Sequence, residues 1–154
     1  MTINTNLSTG RKMTKLNNAL SFTQDSSQEF ADSIKQKIAE FNGQHWDASQ
    51  RQALGLKYLS DSGQLLAGLS GRTFGKWLLI DNFWIDDSLR GQGIGRTMLA
   101  EAEAIARQRG CSLSLLDTLD FQARPFYEKQ GYVVQWTQAQ YPIEGCKYFM
   151  VKQL

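Results

Sequence analysis

The segment DSLRGQGIGRTM, residues 87–98, carries three glycines at alternate positions (Gly91, Gly93 and Gly95). Glycine loses more conformational freedom on folding than any other residue, so this density indicates a backbone that bends sharply or lies close to another group. The segment follows an apolar stretch typical of a strand and precedes a stretch with helical periodicity. The first N–H groups of a helix have no partner within it, and the helix dipole favours an anion there. We therefore predict a phosphate or pyrophosphate site, the alternative being a tight turn that binds nothing.

Two arginines, Arg90 and Arg96, flank the glycines and can add charge-assisted hydrogen bonds to a phosphate. The spacing Gly-x-Gly-x-Gly differs from the dinucleotide fingerprint Gly-x-Gly-x-x-Gly, and the segment lacks the Gly-Lys-Ser/Thr ending of the triphosphate-binding loop. The motif therefore favours a phosphate ligand other than those two classes.

Charge, hydropathy and the numbers of cysteines and histidines argue against several other kinds of function. The chain has 154 residues and a formal net charge of +2, with its basic residues dispersed, so a nucleic-acid partner is not expected. No apolar run approaches ~20 residues and the N-terminus lacks an apolar signal core, so we expect no membrane partner and a cytoplasmic location. Cys111 and Cys146 are far apart and His45 is the single histidine, so we predict reduced thiols and no metal site.

The hydrophobic periodicity predicts one domain, residues 21–154, after a mobile tail, residues 1–20. A capping box at Ser26 and Glu29 predicts a helix that ends at Asn42-Gly43, and a short strand is expected near Leu20–Thr23. The other predicted strands are Ala53–Leu59, Gln64–Ser70, Lys76–Asp86, Cys111–Thr118, Tyr132–Trp136 and Lys147–Lys152, and the other predicted helices are Gly95–Arg109 and Gln122–Gln130. This order indicates a mixed sheet with helices on its faces.

Two motifs resemble those of the GNAT superfamily of acetyl-CoA-dependent N-acetyltransferases. Arg90-Gly91-Gln92-Gly93-Ile94-Gly95 matches the family pattern Q/R-x-x-G-x-G/A, and Phe126–Tyr132, FYEKQGY, resembles the pattern Tyr-x-x-x-Gly-Phe/Tyr. The resemblance covers roughly Phe22–Leu154 and is strongest over Asp81–Tyr132. It implies an α/β fold of the α+β type, with a mixed, mostly antiparallel, twisted sheet of six to seven strands and helices on both faces. It also implies that the fourth strand, Lys76–Asp86, and the fifth, Cys111–Thr118, splay apart.

The resemblance also implies an activity and a cosubstrate. The protein is expected to move an acetyl group from acetyl-CoA to a primary amine by direct transfer in a ternary complex. A coenzyme A-binding sensor or scaffold without catalysis is the alternative. In the family the glycine loop binds pyrophosphate and the pantetheine arm pairs with the fourth strand. The cofactor-binding residues implied here are Phe83, Trp84, Ile85, Arg90, Gly91, Gln92, Gly93, Ile94, Gly95, Arg96, Asp120, Gln122 and Tyr127.

The same resemblance suggests catalytic residues. Tyr127 aligns with the tyrosine that many relatives use as general acid toward the departing thiolate, although it can also be a packing aromatic beside Phe126. Asp81 lies in the apolar fourth strand, where an aspartate is costly unless it is paired or useful, and it is the first candidate for the base. Asp117 is a rival, Asp120 is a third carboxylate nearby, and a water chain without a dedicated side-chain base is also open.

One departure from the family pattern concerns the pantetheine arm. Asp120 stands where many relatives carry an asparagine that helps to hold that arm, and Gln122 could substitute for it. The acceptor is not identified by the sequence. Aromatic or acidic residues that could wall its pocket, or that could simply fill the core, are Trp46, Phe74, Trp84, Trp136, Tyr141 and Glu144. Either a monomer or a homodimer is compatible with the sequence.

Overall fold

The computed structural model describes residues 22–154, which fall into two compact units that divide between His45 and Trp46. The first unit contains helix α1, Gln28–Asn42. Its cap is Ser27 rather than the predicted Ser26, because the Ser27 side chain accepts a hydrogen bond from the Phe30 N–H at 3.1 Å. The predicted tail lies outside the described residues, as does the first half of the predicted strand at 20–23. Residues 22 and 23 are not in a strand.

The second unit is a six-stranded sheet with two helices. Its elements are β1 Arg51–Leu59, β2 Leu65–Phe74, β3 Trp77–Ile85, α2 Ile94–Gln108, β4 Leu113–Leu119, α3 Arg124–Lys129, β5 Val133–Ala139 and β6 Cys146–Gln153. The strand order is β1-β2-β3-β4-β6-β5, and β3 and β4 are the one parallel pair within residues 22–154. Helix α2 makes the crossover that such a pair needs. The predicted mixed, mostly antiparallel sheet is confirmed.

A single hydrophobic core joins α2 and α3 to the sheet. Leu78 and Ile80 of β3 alternate toward it, as expected for a strand with one buried face. The other buried members are Leu54, Leu69, Leu99, Ala102, Ala106, Cys111, Leu116, Tyr127, Tyr132 and Met150. The core therefore fixes α2, α3 and the sheet relative to one another.

A β-bulge interrupts β3 at Asp81. In the register with β2, Asn82 lies opposite Ser70 and Ile80 lies opposite Gly71, so Asp81 is the extra residue. A side chain at Gly71 would clash with the carbonyl oxygen of Leu79, which explains the glycine opposite the bulge. The extra residue also reverses the alternation, so Phe83 packs against the core although it is an odd number of residues beyond Ile80.

Strands β3 and β4 then part. They pair at three positions, from Trp77–Leu113 to Leu79–Leu115, whereas β3 continues to Ile85 and β4 to Leu119. The expected splay is therefore present, and β3 and β4 are the predicted fourth and fifth strands. Among residues 22–154, no helix is long and apolar enough to cross a membrane.

Candidate active site

A cavity of about 1400 Å³ occupies the opening between β3 and β4 and extends to the start of α2. Its walls are the end of β3, the glycine loop, the second half of β4 and the first turn of α3. The predicted cofactor residues that line it are Phe83, Trp84, Ile85, Arg90, Gly91, Gln92, Gly93, Ile94, Gly95, Arg96, Gln122 and Tyr127. The diverging ends of β3 and β4 and residues of both sequence motifs thus line one cleft.

The three glycines of the loop have two different roles. Gly91 and Gly93 have φ values of 76° and 80°, in the left-handed region, and Gly93 is the residue that caps α2. Gly95 lies within the helix, where a Cβ would be 2.7 Å from Cδ1 of Ile85. The first two glycines therefore shape the turn, and the third lets α2 approach the end of β3.

The start of α2 forms a cradle for an anion. The N–H groups of Ile94, Gly95 and Arg96 lie in the first helical turn and have no carbonyl partner there, whereas the Thr97 N–H already donates to the Gly93 carbonyl. The Arg90 guanidinium bonds the Asp87 carboxylate at 2.7 Å, and Arg96 has no carboxylate partner in the described part of the chain. The cradle adds the dipole of a 15-residue helix to these donors.

The edge of β3 offers a second set of hydrogen-bonding groups. Beyond Leu79 the side of β3 that faces β4 has no strand partner, because β4 has diverged. Backbone groups that line a water-filled cleft can bond a ligand that carries amides, as an added strand would. A long ligand with an anionic end and an amide-bearing arm fits these two features together.

Tyr127 lies where the cleft meets the core. Its ring packs against Phe126 and Tyr132, with centroid distances of 5.1 and 5.9 Å, so the packing role foreseen for it is real. The residue nevertheless lines the cavity, and its hydroxyl makes no hydrogen bond to another residue in 22–154. Burial, together with the nearby charge of Asp117, raises the pKa of Tyr127 to about 12. The phenol is therefore protonated over the whole neutral range.

Asp81 faces the cleft but already has a partner. Both of its carboxylate oxygens accept hydrogen bonds from Nη1 of Arg72, at 2.6 and 2.5 Å. Arg72 comes from β2, nine residues earlier in the chain, and the pair joins the two strands next to the bulge. No pattern in the sequence identified this partner, since the register of β2 against β3 decides it.

Asp117, the rival carboxylate, lies on the opposite wall of the cleft. It forms an ion pair with Lys147 of β6, with Oδ1 and Nζ 3.3 Å apart. The Lys147 ammonium also lies 4.5 Å from the ring centroid of Tyr141, and all three residues line the cavity. Lys147 was not singled out from the sequence, and it adds a positive charge to this wall.

Asp120 and Gln122 occupy different places. The Asp120 carboxylate accepts hydrogen bonds from the N–H groups of Phe121 and Cys146, at 2.9 and 3.3 Å, and it does not line the cavity. Gln122 does line it, and its Oε1 accepts from the Leu119 N–H at 2.9 Å, which leaves the amide NH₂ as a donor. Of the two residues, only Gln122 offers a polar group to the cleft.

The fold and the cleft define a class of protein. A mixed sheet that opens between its two parallel strands, with free helix N–H groups at one end of the cleft and a protonated phenol at the other, fits a cosubstrate that has an anionic end and an amide-bearing arm. Comparison with known proteins identifies the family within that class.

Residues 19–132 match the model of the Acetyltransferase (GNAT) family, so the chain belongs to this family. It is 39% identical to blasticidin-S acetyltransferase of Streptomyces morookaense over 95 residues, which cover 61% of this chain and 70% of the relative. It is 32% identical to acetyltransferase Atu2258 of Agrobacterium fabrum over 117 residues, 76% of this chain and 84% of the relative. The crystal structure of an acetyltransferase from Bacillus cereus superposes with a TM-score of 0.76 at 29% identity, over 87% of this chain and 98% of that one.

The resemblance inferred from the two motifs is therefore confirmed. The protein is an acetyltransferase that uses acetyl-CoA as its cosubstrate.

Proposed function

We propose that this protein transfers the acetyl group of acetyl-CoA directly to a primary amine, with both substrates in the cleft between β3 and β4. The observation that supports this proposal is the convergence of the anion cradle, the free edge of β3 and the Tyr127 hydroxyl on one cavity. A coenzyme A sensor would need the cradle and the edge, but it would not need a phenol that lines the cleft and whose hydroxyl has no hydrogen-bond partner among residues 22–154.

In this proposal the chain holds acetyl-CoA at three places. The N–H groups from Gly91 to Arg96 and the Arg96 guanidinium bind the pyrophosphate. The edge of β3 at Phe83–Ile85 pairs with the amides of the pantetheine arm, and the Gln122 amide adds a donor from the other wall. Asp120 is given no contact with the cosubstrate, because its carboxylate already bonds the N–H groups of Phe121 and of Cys146 at the start of β6.

The cosubstrate supplies an acyl carbon that is already activated, so the protein has to manage protons and charge. The acceptor amine must be neutral, while a lysine-type amine has a pKa near ~10.4. The amine nitrogen forms the new C–N bond, the C–S bond breaks, and one proton has to leave the nitrogen while one has to reach the sulfur. A backbone N–H at the edge of β3 can bond the carbonyl oxygen as it gains charge.

Tyr127 is the proposed donor toward the sulfur. Because its pKa is about 12, the phenol is fully protonated at neutral pH and can hydrogen-bond to sulfur as the C–S bond lengthens. The proton that leaves the amine goes to Asp81, directly or through water. The Asp81 carboxylate pairs with Arg72 and is exposed enough to meet water in the cleft.

The acceptor is tested first with the substrate named for the relative, blasticidin S. Thiol release from acetyl-CoA should depend on the amine, and mass spectrometry should show a gain of one acetyl group on it. A small-amine panel extends the search if blasticidin S is inactive. Binding of acetyl-CoA with no thiol release for any amine would favour the sensor.

A further inference from the structure

A second hollow lies on the sheet beside the cleft and does not include the glycine loop. Its volume is about 310 Å³, and two of its lining residues, Asn82 and Trp84, also line the main cavity. The hollow therefore lies next to the cleft, beside the bulge at Asp81. Everything that forms it lies within β1, β2 and β3, so the sheet alone sets its shape.

The register explains why this hollow exists. Gly68 of β2 lies opposite Lys57 of β1 on one side and opposite Trp84 of β3 on the other. Cross-strand partners point to the same face, so two long side chains stand on either side of a residue that has none. The result is a slot with a glycine floor, and the Trp84 indole separates it from the cleft.

The two ends of the slot differ in polarity. Leu65 closes the end away from the bulge, where a Cβ at Gly68 would lie 3.8 Å from Leu65 Cδ1. At the end near the bulge, Ser70 Oγ accepts a hydrogen bond from the Asn82 amide at 3.1 Å. Lys57 is the single charged residue of the lining, and it forms no ion pair with another residue in 22–154. The slot thus combines an apolar body with one positive charge.

We propose that the slot binds the non-reacting part of the acceptor, a flat ring that carries a carboxylate or phosphate. This inference rests on the proposed function, because it requires the amine to react in the cleft. The ring lies over Gly68 against the Trp84 indole, and the anionic group meets the Lys57 ammonium. Neighbouring strands are 4.7–4.9 Å apart, so the backbones of Lys57 and Trp84 are about 10 Å apart, two strand spacings, and the Lys57 side chain lines the slot between them.

The probes are three primary amines assayed by thiol release from acetyl-CoA. 4-(Aminomethyl)benzoate has the ring and the anion, benzylamine has the ring alone, and butylamine has neither. We expect kcat/KM to fall in that order, by about tenfold for loss of the ring and by roughly fivefold or less for loss of the exposed ion pair.

Two variants and one control test whether the preference for ring-bearing and anionic amines comes from the slot. Gly68→Ala adds a methyl group to the floor of the slot, and the atom nearest to that methyl is the Leu56 carbonyl oxygen at 3.7 Å. The variant should therefore fold normally, and its kcat/KM should be lower for both ring amines. Gly55→Ala makes the same change on β1, where a Cβ meets Leu69 O at 3.9 Å outside the slot, and should leave all three amines unchanged. Lys57→Glu should remove the preference for 4-(aminomethyl)benzoate over benzylamine.

The outcomes separate this inference from the proposed function. The slot proposal is overturned if 4-(aminomethyl)benzoate is no better than butylamine, or if Gly68→Ala and Gly55→Ala behave alike, while acetyl-CoA still supports turnover of another amine. The proposed function itself fails if acetyl-CoA binds but no amine at all releases thiol. In every variant the KM for acetyl-CoA should stay near the wild-type value, because the slot does not touch the cradle.

Discussion

The Arg72 guanidinium bonds both carboxylate oxygens of Asp81, and this contact joins β2 to the bulge of β3 at the mouth of the cleft. Both side chains are more than a third exposed, at 36% and 46%, so the pair adds little to stability, about 0–1 kcal/mol. Its importance lies in fixing where the carboxylate sits. This relationship gives the sharpest test of the proposed base.

Asp81→Asn and Arg72→Gln break the same ion pair, but only the first removes the carboxylate. If Asp81 accepts the amine proton, Asp81→Asn should lower kcat by about 10²-fold, whereas Arg72→Gln should lower it much less. The measurement is kcat for the best amine of the panel, with thermal melting to show that both variants fold. Equal losses in the two variants would assign the effect to the ion pair and remove Asp81 as the base.

Tyr127→Phe tests the proposed acid while it keeps the ring packing against Phe126 and Tyr132. We expect kcat to fall by about 10²-fold with little change in the KM for acetyl-CoA. A general acid loses activity as pH rises through its pKa, and burial together with the Asp117 charge holds the pKa of Tyr127 at about 12. The wild-type rate should therefore show no alkaline loss due to this group between pH 7 and 10. A variant as active as wild type across this range would show that Tyr127 only packs.

Gly93→Ala tests the cradle against a control of equal backbone strain. Gly93 and Gly110 have φ values of 80° and 86°, and neither Cβ would meet an atom closer than 3.8 Å, so each substitution should cost about 1–2 kcal/mol in the free energy of unfolding. Only Gly93 caps the start of α2, so calorimetry should show weaker binding of coenzyme A for Gly93→Ala and unchanged binding for Gly110→Ala. Equal affinities in the two variants would contradict a site at the cradle.

Asp120→Ala and Gln122→Ala should have different effects because the two side chains bond different groups. Loss of the Asp120 carboxylate leaves the N–H groups of Phe121 and Cys146 without their acceptor and should lower the free energy of unfolding by about 1–3 kcal/mol. The KM for acetyl-CoA should change only in Gln122→Ala. A raised KM in a folded Asp120→Ala variant would instead support the family role for residue 120.

Glu103→Ala should be strongly destabilising although Glu103 does not line the cleft. Its carboxylate is 3% exposed, bonds Lys152 Nζ at 2.6 Å and accepts from the Tyr132 hydroxyl at 3.1 Å. Removal leaves a partly buried ammonium without its counter-charge, so we expect a loss of about 3–5 kcal/mol in chemical denaturation. The double variant Glu103→Leu/Lys152→Met should recover much of that loss. A stable single variant would show that the pair is dispensable.

Local sequence patterns were enough to predict much of the secondary structure and the glycine loop. The spacing of Gly91, Gly93 and Gly95 needs no tertiary information, because positive φ and a helix start are local properties of the chain. The five helices and strands that follow this loop were predicted with bounds close to those observed, because each has a clear apolar period and a glycine or proline near one end. The capping residue of α1 differed by one position, which is the usual scale of error at a helix end.

Pairings between distant residues were not predictable in the same way. The i,i+4 spacing on α2 allows Glu103 to pair with Arg107, and that contact exists at 3.6 Å, but the shorter bond is to Lys152, 49 residues later. Likewise nothing in the sequence joins Asp117 to Lys147 or Arg72 to Asp81. These partners depend on which strands are neighbours and in which register, and many registers satisfy the same alternation of apolar and polar residues.

The sequence by itself determined the family, the donor loop and the positions of the candidate acid and base, because each is a short pattern of residue types at fixed spacing. Only the tertiary structure decided that β3 and β4 part after Leu79, that Asp120 turns to the loop before β6, and that Gly68 leaves a slot between Lys57 and Trp84. Those features arise from strand order and register, which bring together residues far apart in the chain. Of these features the slot is the one proposed to bind the acceptor, whereas the sequence motifs identify the donor alone.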